Sequence, residues 1–234
     1  MKRNGLLGKI LIGAAVIGAL SFPLKAFGTE VNAGIALKSQ YLASTGFVFS
    51  DKPAAYSSLS VSEKGFYGFL GANIGTGEGL NEIDLIAGYK GNIGKMNLDM
   101  AVGNFNLINF GGNDNSHFYE LYGTLSRPDV ITPRIKFAQN AYTEVTDRGH
   151  HGRDFEFGLN YDGKGKFPSA DFALHYNDQY YTNRTDFSVA QLAVSYPLAI
   201  GGFTATPKVR IQKAINRDNF KDTNEVSVSV NRNF

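Results

Sequence analysis

The chain has 234 residues, enough for one sizeable domain, and carries 23 Lys+Arg against 21 Asp+Glu for a formal net charge of +2. It has no Cys, which excludes a disulfide scaffold, a thiolate zinc site and a thiol nucleophile. Four bases (Lys2, Arg3, Lys9, Lys25) and no acid lie in residues 1–28, so the rest holds 19 bases against 21 acids, a net of −2, with no basic surplus for nucleic acid.

The first element is an address. Met1-Lys2-Arg3 opens a positive region reaching Lys9, Ile10 to Phe22 is an apolar run, and small residues surround Ala26 and Gly28. Those parts in that order read as a secretory signal peptide over 1–28, cleaved so that the mature chain begins near Thr29. The competing reading is a membrane anchor, but the run is shorter than the ~20 residues that a spanning helix needs.

From Thr29 to Phe234 the apolar residues recur every second position. With 27 Gly, 12 Tyr, 18 Phe, no Trp and 7 Pro, the composition also favours strands and turns. The alternation predicts twelve strands, near 31–42, 54–61, 66–74, 82–89, 95–104, 117–125, 133–142, 154–161, 169–177, 187–196, 203–213 and 223–234. Met96, Leu98, Met100 and Val102 show it in the fifth strand, Phe155, Phe157, Leu159 and Tyr161 in the eighth, Phe172, Leu174 and Tyr176 in the ninth, and Val226, Val228 and Val230 in the last. The connections alternate too: the odd ones are long and polar and the even ones mostly short, as in an outer-membrane barrel with its short turns on the periplasmic side. Strands of about 8–12 residues suit a tilted bilayer crossing.

A soluble β-sandwich would also alternate. Against it stand aromatics near strand ends, placed as interface girdles would be (Phe66, Tyr89, Phe118, Tyr142, Tyr161, Tyr176, Tyr196), and alternation running to the last residue, Phe234. A final strand ending on an aromatic resembles the signal by which the barrel-assembly machinery recognises its clients. The expected fold is all-β: a transmembrane, antiparallel, up-and-down barrel of about 12 strands over residues 29–234, in the outer membrane of a Gram-negative bacterium.

A family resemblance enters at Ser39 to Gly75. Tyr41, then Ser50-Asp51-Lys52-Pro53, then Gly65-Phe66-Tyr67-Gly68 resemble the opening of the TorF-type porins. Asn81 to Gly103 and Phe118-Tyr119-Glu120-Leu121-Tyr122 are also similar, and the likeness thins after Leu125. The resemblance implies an outer-membrane barrel acting as a passive pore, with no particular solute. The family usually has an Arg-Gly pair after the first-strand Tyr; here the chain reads Leu42-Ala43-Ser44-Thr45-Gly46, so no role of that Arg carries over.

In such a barrel the apolar set faces lipid and the interleaved set faces the lumen, because a charge facing hydrocarbon at mid-depth costs ~2–4 kcal/mol. Parity then assigns as inward Glu82 and Asp84, Asp99, Glu120, Arg134 and Lys136, Asp154 and Glu156, Asp171 and His175, Lys208 and Arg210, and Glu225. Two readings stay open. The charges filter solutes by sign, or they form an ion-paired plug in which Arg134 and Lys136 pair with Glu156 and Asp154. Acids outnumber bases in the set, which implies a weak cation preference.

Catalysis has little support. His117 follows Ser116 directly, so on a strand the two side chains point to opposite faces. His150 and His151, with Asp147 near them, make a weak metal signal in a loop. Gly75 to Gly79 joins two strands with no helix to follow, so it is not a phosphate loop. Tyr176, Tyr180 and Tyr181 are read either as an aromatic platform for a solute at the mouth or as part of the outer girdle. His175 is expected to face the lumen, where it hydrogen-bonds or tunes the pore with pH. The expectation is a non-enzymatic, cofactor-free and metal-free pore for small polar or charged solutes. Its partners would be outer-membrane lipids and the assembly machinery, as monomer or homotrimer. The alternatives are a closed barrel with a surface-binding role and, with the weakest support, an outer-membrane hydrolase.

Overall fold

A computed structural model of the chain describes residues 29–75, 81–108, 116–143, 152–180, 185–218 and 220–234. The leader at 1–28, the pair His150 and His151, Tyr181 and most of the glycine string after Gly75 lie outside the described residues. Among the described residues every regular element is a strand. In chain order these are β1 (Glu30–Lys38), β2 (Tyr41–Leu42), β3 (Val48–Ser50), β4 (Ala54–Glu63), β5 (Phe66–Gly75), β6 (Asn81–Ile93), β7 (Met96–Ile108) and β8 (Ser116–Ser126). They continue as β9 (Ile131–Thr143), β10 (Arg153–Tyr161), β11 (Ser169–Asp178), β12 (Thr185–Ser195), β13 (Leu198–Ile200), β14 (Phe203–Ala214) and β15 (Thr223–Asn233).

Twelve of them close into a barrel. Each wall strand pairs antiparallel with the next from β4 to β12, β12 pairs with β14 and β14 with β15, and the seam closes where β1 pairs with both β15 and β4. At the seam Ile35 stands opposite Val230, and the Phe234 amide donates to the Val31 carbonyl at 2.8 Å. Closure matters because a sheet edge in hydrocarbon would leave peptide groups with nothing to bond. β13 is a short hairpin extension on β14, and β2 pairs only with β3.

The side chains are distributed inside out. Gln212, Asn177 and His175 are 0–1% exposed, whereas Leu85 is 61%, Val226 54% and Ile135 52% exposed. A soluble sandwich buries its apolar face; here the buried face is polar and the outward face is apolar, which is stable only against lipid. Phe66 and Tyr89, exposed and 5.0 Å apart as a ring pair, lie near the rim of short turns. The β4–β5 turn there is two residues, Lys64 (φ 51°) and Gly65 (φ 89°), the two positive φ angles that a tight hairpin requires.

The wall strands lie within a few residues of their sequence-predicted positions, with one substantive difference. The first strand was expected over 31–42, but β1 stops at Lys38 and the chain turns inward. Ser39 still holds the wall through a bond to the Val226 carbonyl at 2.8 Å, and Gln40 donates to Thr223 Oγ1 at 2.6 Å and to the Asn224 carbonyl at 2.9 Å. Beyond them Tyr41 and Leu42 leave the wall for the interior.

Candidate functional site

The interior is shaped by that inward turn. Residues 41–50 form the β2–β3 hairpin, closed by Ala43 donating to the Phe47 carbonyl at 2.9 Å and Gly46 to the Ala43 carbonyl at 3.1 Å. One side of the hairpin is apolar: Tyr41 stacks on Phe49 at 5.3 Å, and Tyr41 packs with Ala54, Leu107 and Phe118 in a buried cluster flanked by Phe49 and Phe105. The other side is held by polar groups of the opposite wall. Arg210 donates through Nη2 to the Leu42 carbonyl at 2.7 Å and through Nη1 to that of Ala43 at 3.3 Å. Gln212 Nε2 donates to the Gly46 carbonyl at 2.8 Å and Gln191 Nε2 to that of Ser44 at 3.5 Å. The hairpin thus bridges the lumen from β7 and β8 to β12 and β14.

Gly46 fits its position for two reasons. Its φ is +91°, and a Cβ there would lie 2.5 Å from Val189 and 2.9 Å from Gln212 Oε1. Any larger residue would push the hairpin off the wall.

The charged residues assigned inward by parity line the interior cavities or pair with one another, and their partners divide them. Arg134 is held between two acids: Nε donates to Glu156 at 2.6 Å, and Nη1 and Nη2 donate to the two Asp171 oxygens at 2.5 and 2.8 Å. The guanidinium lies over Gly158, where a Cβ would come within 2.6 Å of its Cζ. His175, 1% exposed, meets Asp154 through Nδ1 at 3.0 Å and Glu156 through Nε2 at 3.9 Å. Arg210, besides holding the hairpin, pairs with Glu225 at 2.9 Å. The expected pairing of Lys136 with this group is not seen: Arg134 occupies Glu156, His175 occupies Asp154, and Lys136 Nζ instead reaches Ser44 Oγ of the hairpin at 3.4 Å.

Among the described residues two cavities follow the hairpin along the lumen. One, of about 500 Å³, lies beside the hairpin and is lined by Lys38, Glu82, Asp84, Glu120, Lys136, Lys208 and Arg210 together with Tyr56 and Tyr122. A second, of about 720 Å³, opens toward the short turns and is lined by Ser60, Ser62, Tyr67, Phe69, Lys90 and Asp99. Both have Ile86 and Tyr122 in their walls, so one follows the other along the interior. Asp99 belongs to the second: it accepts from Tyr67 at 2.8 Å and lies 3.7 Å from Lys90.

Three aromatics differ from their expected places. Phe118 is not a girdle residue but points inward, 4% exposed and stacked on Phe105 at 4.8 Å. Tyr180 is 3% exposed and bonds Glu120 inside the barrel, whereas Tyr176 lies beside Phe187, ring to ring at 5.3 Å. Tyr176 and Tyr180 therefore do not form one platform. Tyr41, expected at the end of the first wall strand, bonds Glu82 in the lumen. Of the His residues weighed for catalysis, His117 lies edge-on to Tyr119, which is 43% exposed, away from the lumen. Among the described residues no group of three or more His, Asp or Glu is arranged to hold a metal.

A KdgM porin superposes with a TM-score of 0.56 at 12% identity, covering 88% of this chain and 99% of that one. The fold is that of an outer-membrane porin. A NanC porin aligns with a TM-score of 0.46 at 15% identity over 87% of this chain and 97% of its own, and OccAB1 of Acinetobacter baumannii with 0.44 at 11% over 88% and 64%. At 12% identity the KdgM likeness is one of fold. No protein-family model and no curated protein matches the sequence.

Proposed function

We propose that the chain is a non-enzymatic outer-membrane porin that passes small polar or charged solutes by diffusion past the β2–β3 hairpin. The observation that carries this reading is the pair of successive polar cavities inside a wall whose outer face is apolar. Outer-membrane location in a Gram-negative cell, export on a leader over 1–28 and assembly through Phe234 belong to the same proposal. So does membership of the TorF-type porins, which rests on Gly65-Phe66-Tyr67-Gly68 and the neighbouring segments. Its surroundings would be outer-membrane lipid, with the barrel acting as a monomer or homotrimer.

The acids in the inward set outnumber the bases, so the pore should prefer cations weakly. Reversal potentials across a salt gradient test this, and anion selectivity would contradict it. A second reading has its own support: with Arg210, Gln191 and Gln212 all bonded to the hairpin backbone, the barrel is closed by a fixed plug. Planar-bilayer recording separates the two. Discrete conductance steps support the pore, and silence from well-folded protein supports the plug.

A further inference from the structure

The charges of the lumen divide into those that are used up and those that are left over. Arg134 is consumed by Glu156 and Asp171, His175 by Asp154, and Arg210 by Glu225 and the hairpin carbonyls. The charges around the 500 Å³ cavity that have no ion-pair partner among the described residues are polarised, with Glu82 and Glu120 accepting only the hydroxyls of Tyr41 and Tyr180. Glu82 and Asp84 on β6 and Glu120 on β8 line one side, Lys208 on β14 lines the other, and Lys38 on β1 stands between them in the order of strands. Lys136 on β9 stands on the acidic side and offsets part of that excess.

One detail makes the acidic side a site rather than a cluster. Asp84 is 6% exposed, lines the cavity, and its Oδ1 has no hydrogen-bond partner among the described residues. A buried carboxylate oxygen without a donor is costly, and a ligand ammonium would supply the donor. Tyr56 and Tyr122 line the same cavity, and their rings already hold the ammonium groups of Lys38 and Lys136 at 4.8 and 5.8 Å. Among the described residues neither Lys38 nor Lys208 has an ion-pair partner; Lys38 Nζ rests over the rings of Tyr41 and Tyr56 at 5.0 and 4.8 Å.

We propose that this cavity is a binding subsite for small zwitterions of the amino-acid class, with the ammonium at Asp84 and Glu120 and the carboxylate at Lys208 and Lys38. The subsite lies on the pore described above but is tested apart from it. A solute with both charges satisfies both walls; one that lacks either end leaves a wall unpaired, which costs more than the missing contact alone.

The test uses the refolded full barrel and three matched probes: glutamine, N-acetylglutamine, which has lost the ammonium, and glutaminamide, which has lost the carboxylate. Saturation-transfer NMR reads binding, and swelling of liposomes in arabinose or in each probe reads passage. Glutamine should bind and enter about threefold better than either analogue, the scale of one partly screened charge contact. Asp84→Asn should remove its advantage over N-acetylglutamine, and Lys208→Gln its advantage over glutaminamide, each read as a ratio to the arabinose flux of the same variant. Heat-modifiable mobility checks folding, and Glu120→Gln and Lys38→Gln replace any variant that fails it. Equal behaviour of the three probes, or a preference that survives both variants, would overturn the subsite. Arabinose exclusion with glutamine still giving a binding signal would leave the subsite standing and sink the pore.

Discussion

Arg210 has two duties that pull on the same side chain. It neutralises Glu225, whose side chain is 4% exposed, and it supplies two N–H donors to the Leu42 and Ala43 carbonyls. Arg210→Ala removes both, leaving a buried carboxylate unpaired at a cost of at most about 3–5 kcal/mol, lessened by any water in the lumen. The variant should show a lower thermal midpoint together with a larger, noisier single-channel conductance; unchanged conductance would mean that the hairpin does not depend on this latch. Arg210→Lys should keep the ion pair but lose the forked contact with two carbonyls, giving an intermediate noise level. The inward position of residues such as Asp84, Glu156 and Lys208 is legible in the sequence because strand parity alone sets it. Their partners are not. Lys136 lies opposite Glu156 in the register, yet Arg134 reaches that acid from two positions away because its side chain is long and forked.

The β2–β3 hairpin is the element that the alternation does not reveal. Tyr41 continues the odd-numbered apolar pattern of Val31, Ile35 and Leu37, so its sequence reads as more strand. What turns it inward is a set of side-chain donors lying 166–168 residues away on β14. Contacts of that separation leave no local mark. The same holds for Phe118: an aromatic near a strand end fits a girdle or an inner cluster equally well, and only the presence of Phe49 and Tyr41 on the inside decides. Replacing residues 41–50 by a short Gly-Ser link tests the element directly. The barrel should still show heat-modifiable mobility, since no wall pairing involves β2 or β3. Conductance should rise severalfold, as a strand-sized obstruction about 5 Å across leaves a narrow lumen. A conductance equal to that of the intact protein would show that the hairpin does not obstruct the path.

For the barrel as a whole, closure and orientation of faces follow from period two and from the even count of strands, both written into the sequence. The lumen is not: its free volume depends on which inner side chains pair and on the hairpin. Deleting Phe234 removes one seam bond, from its amide to Val31, and one ring from the Arg232 contact at 4.9 Å. That loss is small beside the antiparallel pairing of β15 with β1 and β14, so the refolded barrel should survive it in vitro. If assembly in cells nevertheless fails, the residue acts as a signal to the assembly machinery; normal assembly in cells would remove that role.

The most direct measurement is single-channel recording of the refolded, heat-modifiable protein in a planar bilayer. A porin should give discrete conductance steps with weak cation selectivity. A folded protein that inserts and stays silent would contradict it and leave the hairpin as a permanent plug.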